Sequence, residues 1–488
     1  MEGVYSSAGN SAPRAGRETE WRKKALFGPR KRKQTALRII IVGCGKVGHT
    51  LTEQLVREGH DITVVDTDSH VLSNLNESYD VMTVSGNGAS RQVLESAGLK
   101  EADMVIAVTG SDELNMLCCT IARKAGGSLS AIARVRNPDY SEELTYLRQQ
   151  LGLSMIINPE MEAAREIARV IARPQALTVS AFAKGQAELV QFMIPRGNRL
   201  CGMSVMEMNN LFPFGFLACA VERDGIVTIP DGSFVLEEGD ELSLLSASND
   251  AYRIFPTIGM YAPHARTCLI IGGGRVTYYL ARKLLEQKVE VRIIEQNSRR
   301  CEELTSLLPN ATVIYGDGTD EELLREEGLE TTDAFVPLTD VDEENILLTL
   351  YAQRVSNAKT ITKINRITFN NVIDSLQLGS VVYPKYITAE LIIAYVRARQ
   401  NSIGSNVETL YHLFDNRVEV VEFHVEKDAP VIGIPLMELK TKDNLRIACI
   451  SQNGRMIFPR GQDRIQAGDH VIIVTTHTGF GDIGDILA

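Results

Sequence analysis

No stretch of the chain comes near the roughly 18 consecutive apolar residues of a membrane-spanning helix, and its first residues lack the apolar core of a signal peptide. The expectation is a soluble, cytosolic protein whose membrane role, if it has one, runs through a partner. The eight cysteines are scattered, with Cys118 and Cys119 adjacent and no CxxC pair. That pattern argues against a zinc site and against a disulfide framework, and it suits a reducing compartment. The eight histidines, His49, His60, His70, His264, His412, His424, His470 and His477, have no Asp, Ser or Cys at the spacings of a triad or a metal centre. No catalytic residue and no metal ligand is therefore assigned. A basic helix-turn-helix is also missing, and nucleic acid is not an expected partner.

What is present is a chain of 488 residues, 44% apolar and with a net charge of −11, long enough for two to four domains. Charge is unevenly spread. Residues 1–37 hold nine Lys or Arg against three acids, about +6, which leaves about −17 for the rest. This segment, ending in Arg30, Lys31, Arg32 and Lys33, reads as a basic, disordered extension, the other reading being an arm that touches an anionic partner.

The organising stretch is Arg38 to Asp66, RIIIVGCGKVGHTLTEQLVREGHDITVVD. A β-branched run predicts a parallel strand buried on both faces. Gly43, Gly45 and Gly48 then give the GxGxxG spacing: a tight turn, an open approach for a pyrophosphate, and close packing of the following helix. The helix start offers free N–H groups to the phosphates. Asp66, closing the next strand, stands where a carboxylate takes ribose hydroxyls. Strand and helix alternation continues to Arg134 and through LSMIINPE, which predicts a doubly wound parallel sheet. An amphipathic helix follows over Met161 to Arg173, and short strands with a hairpin at Asp224-Gly225 mark a small α+β domain.

Near Thr267 the series begins again. Gly272 repeats Gly43 and Glu295 repeats Asp66, each 229 residues on, and Gly468-Asp469 repeats Gly239-Asp240 at the same offset. The order is large, small, large, small: 38–160, a connecting helix at 161–175, 176–258, then 265–385, a connecting helix at 386–402, and 403–488. The second small domain has its hairpin at Asn453-Gly454. The two connecting helices are candidates for packing between units, with packing inside one unit the equal alternative.

Lys46 and Arg275 hold the same place in the two glycine turns. A cation at a helix start opposes the dipole, and an anion bound there would explain both. Thr109 and Gly110, like Thr339, follow strands on the carboxyl edge of the sheet, where open α/β sheets bind ligands. Arg134 and Lys363 end matching strands and either neutralise phosphate or pair with a neighbouring acid. Thr277 replaces the third glycine of the second turn, so its helix sits farther out or accepts a β-branched contact. Asp66 and Glu295 would both repel a 2′-phosphate, which disfavours NADP.

IIIVGCGKVGHTL, ITVVDTD, VTGSDELNML and IARVRNPDY, followed by a small β-rich domain and then the whole set again, resemble the TrkA family of Trk-system potassium uptake proteins, built from two regulator-of-potassium-conductance units. The basic arm before Arg38 is outside the family pattern. The resemblance implies a non-enzymatic cytosolic subunit that assembles as a tetrameric gating ring beneath a separate, integral-membrane potassium-conducting protein. It also implies that NAD or NADH, with ATP or ADP possible, biases the ring between conformations. Carried over residue by residue, the nucleotide positions are Gly43, Cys44, Gly45, Lys46, Val47 and Gly48, with Asp66, Thr109, Gly110 and Arg134, then Gly272, Gly273, Gly274, Arg275, Val276 and Glu295. The rival reading is an NAD-dependent oxidoreductase using the first turn, for which the small domains offer no positioned acid or base.

Overall fold

The computed structural model describes residues 36–488 apart from 128, 142, 262, 366–372, 374, 375, 401–404, 415, 416 and 453. The basic run Arg30 to Lys33 and hairpin residue Asn453 lie outside the described residues.

The first sheet is built from β1 (Arg38–Val42), β2 (Asp61–Asp66), β3 (Met82–Ser85), β4 (Met104–Ala107), β5 (Ser130–Arg134) and β6 (Met155–Ile157). Its order is β3-β2-β1-β4-β5-β6 with every pairing parallel. This is the doubly wound order that opens a crevice at the carboxyl ends of β1 and β4. Ile39 to Val42 are buried on both faces, which is why the run carries no polar residue after Arg38. Helix α1 (Lys46–Arg57) leaves the glycine turn, and α2 (Asp112–Gly126) follows β4.

From α3 (Pro159–Ala172) the chain enters an antiparallel sheet of β7 (Thr178–Phe182), β8 (Ala187–Met193), β9 (Phe216–Arg223), β10 (Ile226–Thr228) and β11 (Glu241–Ala247), ordered β10-β9-β11-β8-β7. Asp224 and Gly225 both take positive φ, 52° and 79°, which makes the turn between β9 and β10 the type that suits the strands' twist.

The second half repeats all of this. Strands β12 (Thr267–Ile271), β13 (Glu290–Glu295), β14 (Thr312–Tyr315), β15 (Ala334–Pro337), β16 (Lys359–Lys363) and β17 (Ser380–Val382) form a sheet ordered β14-β13-β12-β15-β16-β17. Its helices include α4 (Arg275–Glu286), α5 (Asp342–Val355) and α6 (Pro384–Gln400). The last sheet has β18 (Ser405–Leu413), β19 (Val418–Val425), β20 (Leu445–Gln452), β21 (Arg455–Ile457) and β22 (His470–Thr475), ordered β18-β19-β22-β20-β21.

The two halves interlock through their connecting helices. Helix α3 lies on α4 of the other half, placing Ala164, Ile167 and Ile171 in one apolar cluster with Leu280, Leu284 and Ile293. Reciprocally, α6 lies on α1 and on β18, so Ile392, Ile393 and Val396 pack with Leu51, Leu55 and Phe423. Both helices pack between halves. The two small sheets also face each other, with Phe182, Leu189 and Cys219 against Val420, Cys449 and Val474.

Buried charge follows the same crossing. Arg397 of α6 is 2% exposed and holds Glu58, at the end of α1, at 2.5 Å and Glu419 of β19 at 3.0 Å. His412 joins Glu419 to Glu390. Close by on α3, burial and then the Glu390 carboxylate push Glu166 up from 4.5 to about 7. A raised carboxyl pKa means that the folded state holds the proton more tightly. This contribution to stability is complete below pH 4.5 and is lost as pH rises through 7. Glu166→Gln should therefore flatten the fall in unfolding free energy between pH 5 and 8, and gain up to about 3 kcal/mol at pH 8. Denaturant midpoints of both proteins at the two pH values check this.

Candidate functional site

In the first turn Gly43 has φ +100°, and a Cβ there would lie 2.9 Å from the Thr109 amide nitrogen. At Gly48 a Cβ would stand 1.9 Å from the Gly43 carbonyl oxygen, so α1 sits where only glycine allows. Around Gly45, at the start of α1, a Cβ would meet nothing within 4 Å. Asp66 accepts hydrogen bonds from the amide of Cys44 at 2.6 Å and of Asp68 at 3.0 Å, which fixes its carboxylate beside the turn. Burial, then Asp66, pushes the Cys44 thiol up to about 11, so it stays protonated. Val47 is buried under the turn.

The second turn keeps this plan. Gly272 has φ +93°, Val276 is buried, and Glu295 accepts from the Gly273 amide at 2.5 Å and from Asn297 at 2.7 Å. Thr277, fully buried, accepts the β-branched contact by donating its hydroxyl to the Gly272 carbonyl at 2.5 Å. At the corresponding place in the first turn the glycine makes no such bond.

On the carboxyl edges, the Thr109 amide and hydroxyl both donate to Asn115 Oδ1 at 2.7 Å. Asn115 donates in turn to the Arg134 carbonyl at 2.9 Å, and Arg134 returns a bond to the Thr109 carbonyl at 2.5 Å. Thr339 and Asn345 repeat the arrangement, while Lys363 donates to the Leu338 carbonyl at 3.1 Å and stands 3.6 Å from Asp340. Lys363 thus pairs with a neighbouring acid whereas Arg134 bonds a carbonyl, and both line open space.

That space is one cleft of about 1460 Å³, lined by both glycine turns, by Gly110, and by both edges. It exceeds the roughly 300–1,000 Å³ of a pocket for one small molecule. Its cations cross over between halves. Burial, then Arg136, lowers Arg134 to about 10, and Arg275 of the other half adds to this. Burial lowers Lys363 and Lys385, and Lys46 of the first half adds to both shifts. Lys46 thus lies within electrostatic reach of the second edge and Arg275 of the first, and all of them line the same cleft. Arg134 Nε and Glu160 Oε2, which line the cleft, are buried without a hydrogen-bond partner among the described residues. Tyr279 of α4 locks the halves by donating to the Arg136 carbonyl at 3.0 Å while accepting from Asn158 at 2.9 Å.

All the sequence-derived positions except Cys44 and Gly48, which belong to the first turn itself, therefore line one cleft. Sequence reasoning missed Glu160, Arg136 and Lys385. Their signal was positional: Glu160 and Lys385 each follow a proline that opens a connecting helix after the last strand of a parallel sheet. His49, one residue past Gly48, is exposed and stacks edge-on with Tyr79. Two of the histidines that sequence spacing leaves without partners, His424 and His470, gather with Glu408 on the last sheet.

Fold and cleft together define a class: a tandem protein of two Rossmann-type domains sharing one crevice, each followed by a small antiparallel domain. The TrkA-N domain model matches residues 39–159 and 268–384, and the TrkA-C domain model matches 189–259 and 420–488. The chain belongs to the TrkA family. It is 33% identical over 442 residues to the Trk system potassium uptake protein TrkA of Haemophilus influenzae, covering 90% of this chain and 95% of that one. The match to TrkA homolog 1 of Methanosarcina mazei is 29% over 454 residues, covering 92% and 99%. Among solved structures, the GsuK RCK domain superposes with a TM-score of 0.61 at 20% identity, covering 93% of this chain and 96% of that one. The GsuK channel bound to NAD gives 0.60 at 20%, covering 94% and 80%. Among the described residues no helix is long and apolar enough to cross a membrane.

Proposed function

We propose that this chain is a nucleotide-sensing regulatory subunit of a potassium uptake system, acting on a separate membrane protein that conducts the ion. The observation that carries the reading is the single cleft into which both glycine turns open, lined by cations of both halves, Lys46 and Arg134 from the first and Arg275 and Lys363 from the second. NAD fits the residues present. Gly45 and Gly274 leave open space for a pyrophosphate, Asp66 and Glu295 are held beside the turns to take ribose hydroxyls, and the unpartnered Arg134 Nε lines the same cleft. Two acids in these positions favour NAD or NADH over NADP. ATP or ADP would place its terminal phosphates among the same cations.

A bound nucleotide supplies charge that bridges the halves. Its terminal phosphates would touch Lys46 or Arg275 and the opposite edge at once, so occupancy favours one spacing of the halves. Such a difference in affinity between two states is typically worth about 1–3 kcal/mol per site. Helices α3 and α6, each crossing to the other half, would carry the change to the small domains, and a homotetrameric ring peripheral to the membrane would sum it over copies. The relatives' potassium uptake role and the fold shared with GsuK, whose channel has been seen with NAD, support this reading.

Titrating NAD, NADH, ATP and ADP against the wild type, Asp66→Ala and Glu295→Ala tests it. Each variant should weaken binding at its own turn, and no nucleotide should be consumed. Potassium flux should depend on the chain only where the membrane partner is present. Substrate-dependent oxidation of NADH by the purified protein would overturn the proposal.

A further inference from the structure

The last sheet carries a group of side chains that the nucleotide cleft does not use. His424 on β19 and His470 on β22 are direct ladder partners, and their rings lie 5.0 Å apart. Glu408 sits at the irregularity in the pairing of β18 with β19, between Val407 and Thr409, and brings its carboxylate to 3.0 Å from His470 Nδ1. Glu422 approaches the same nitrogen at 3.1 Å. Glu408, His424 and His470 each present one donor atom, all within 4.8 Å of one another.

Two features of this group go beyond an ordinary ion pair. His470 Nδ1 has two carboxylates against it, although an imidazole nitrogen has one proton at most to give. His424 Nδ1 is buried with no hydrogen-bond partner among the described residues. A cation with several coordination positions satisfies all of these atoms together. Ligand atoms held about 2.0–2.2 Å from a tetrahedral ion lie roughly 3.3 Å from each other, close to the two carboxylate distances observed. The Glu422 carboxylate is further fixed through its other oxygen, which accepts from the Ala183 amide at 2.9 Å and from Thr409 at 2.8 Å. That outer support orients a metal-binding carboxylate. It also ties the group to the seam between the two small domains, because Ala183 belongs to the first.

The duplication supplies an internal comparison. In the first small sheet, Thr178 pairs with Gln191 and Glu241 with Met193, just as Thr409 pairs with Glu422 and His470 with His424. Leu177, Gln191, Met193 and Glu241 therefore stand where Glu408, Glu422, His424 and His470 stand. There Gln191 simply donates to Glu241, and no imidazole is present. The donor set belongs to the second half alone.

We infer that Glu408, His424 and His470, with Glu422 as fourth ligand or its close support, form a binding site for a divalent transition metal of the zinc class at the seam of the small domains. Two imidazoles and carboxylate oxygen suit such an ion better than calcium or magnesium, which take oxygen ligands. Most of the cysteines compete poorly, since burial drives the thiols of Cys118, Cys119, Cys219, Cys268 and Cys449 upward and keeps them protonated.

The test uses the full chain stripped with a chelator and titrated with Zn²⁺ against a chromophoric competitor, with Co²⁺ as a spectroscopic probe. One tight ion per chain is expected, and the cobalt form should show tetrahedral visible bands without thiolate charge transfer. His424→Gln and His470→Gln should each weaken the site about 100-fold or more, and Glu422→Gln about 10–100-fold. Glu408→Gln, exposed at a strand irregularity and harmless to folding, should weaken it as well. X-ray absorption at the zinc edge of the wild type should give nitrogen and oxygen neighbours only, a readout independent of any variant's folding. No tight stoichiometric ion in the wild type, sulfur in the zinc shell, or affinity unchanged in His424→Gln and His470→Gln would each overturn the assignment.

Discussion

Arg397→Met is expected to cost about 3–5 kcal/mol of stability, read as a large drop in the urea midpoint. Arg397 is 2% exposed, and its guanidinium holds Glu58 at 2.5 and 3.0 Å and Glu419 twice at 3.0 Å. Methionine fills much of the volume but leaves the buried Glu419 with His412 as its remaining cationic partner at 3.4 Å. A carboxylate so placed costs far more than the ion pair contributed, because its desolvation goes uncompensated. Arg397→Met with Glu419→Gln should recover part of the loss by removing the stranded charge. The pH dependence has a definite sign. Burial alone would raise Glu419, but His412 and Arg397 outweigh it and hold the carboxyl at about 2, so its contribution is complete above pH 4.5 and fades as pH falls through 2. Burial would lower His412, but Glu390 and Glu419 outweigh it and raise the imidazole to about 9. That contribution is complete below pH 6.5 and is lost as pH rises through 9. Wild type should therefore resist urea best between about pH 4.5 and 6.5 as far as this network decides, and the Arg397→Met variant should show a weaker dependence.

Gly45→Asp should abolish nucleotide binding at the first turn while leaving the fold intact. The site has an ordinary φ of −71° and a Cβ there meets nothing within 4 Å, so aspartate enters without a clash. Its carboxylate would stand where the turn receives a pyrophosphate. Two unit charges of like sign about 4 Å apart at an effective dielectric of 20 repel by about 4 kcal/mol, or roughly a thousandfold in affinity. Gly274→Asp should do the same at the second turn. Unfolding midpoints matching wild type, with binding lost, separate this from a folding defect. Gly48 would not serve, because a Cβ lying 1.9 Å from the Gly43 oxygen disturbs the helix itself.

Much of the architecture is legible in the chain because local rules decide it. The β-branched run before Gly43, the glycine spacing and the terminal acid each follow from what a parallel strand, a tight turn and a close helix require. The 229-residue offset then transfers every such inference to the second half. Thr277 shows where local reasoning stops. Its replacement of glycine signals a change, but that its hydroxyl would bond the Gly272 carbonyl depends on a geometry the pattern does not encode. The crossing of α3 and α6 is another such case. Amphipathic spacing marks an apolar face and is silent about which half covers it. With those helices crossed, both crevices open into one cleft, and Lys46 lies within electrostatic reach of Lys363. Arg397 and Glu58 lie 339 residues apart, and His424 and His470 meet only because β19 and β22 are neighbours in a sheet. No spacing rule reaches that far.

Two nucleotide sites in one cleft are tested by equilibrium dialysis of labelled NAD and ATP against wild type, Gly45→Asp, Gly274→Asp and the double variant. Two nucleotides per wild-type chain, one in each single variant and none in the folded double variant is the predicted result. Nucleotide binding undiminished in the double variant would contradict it.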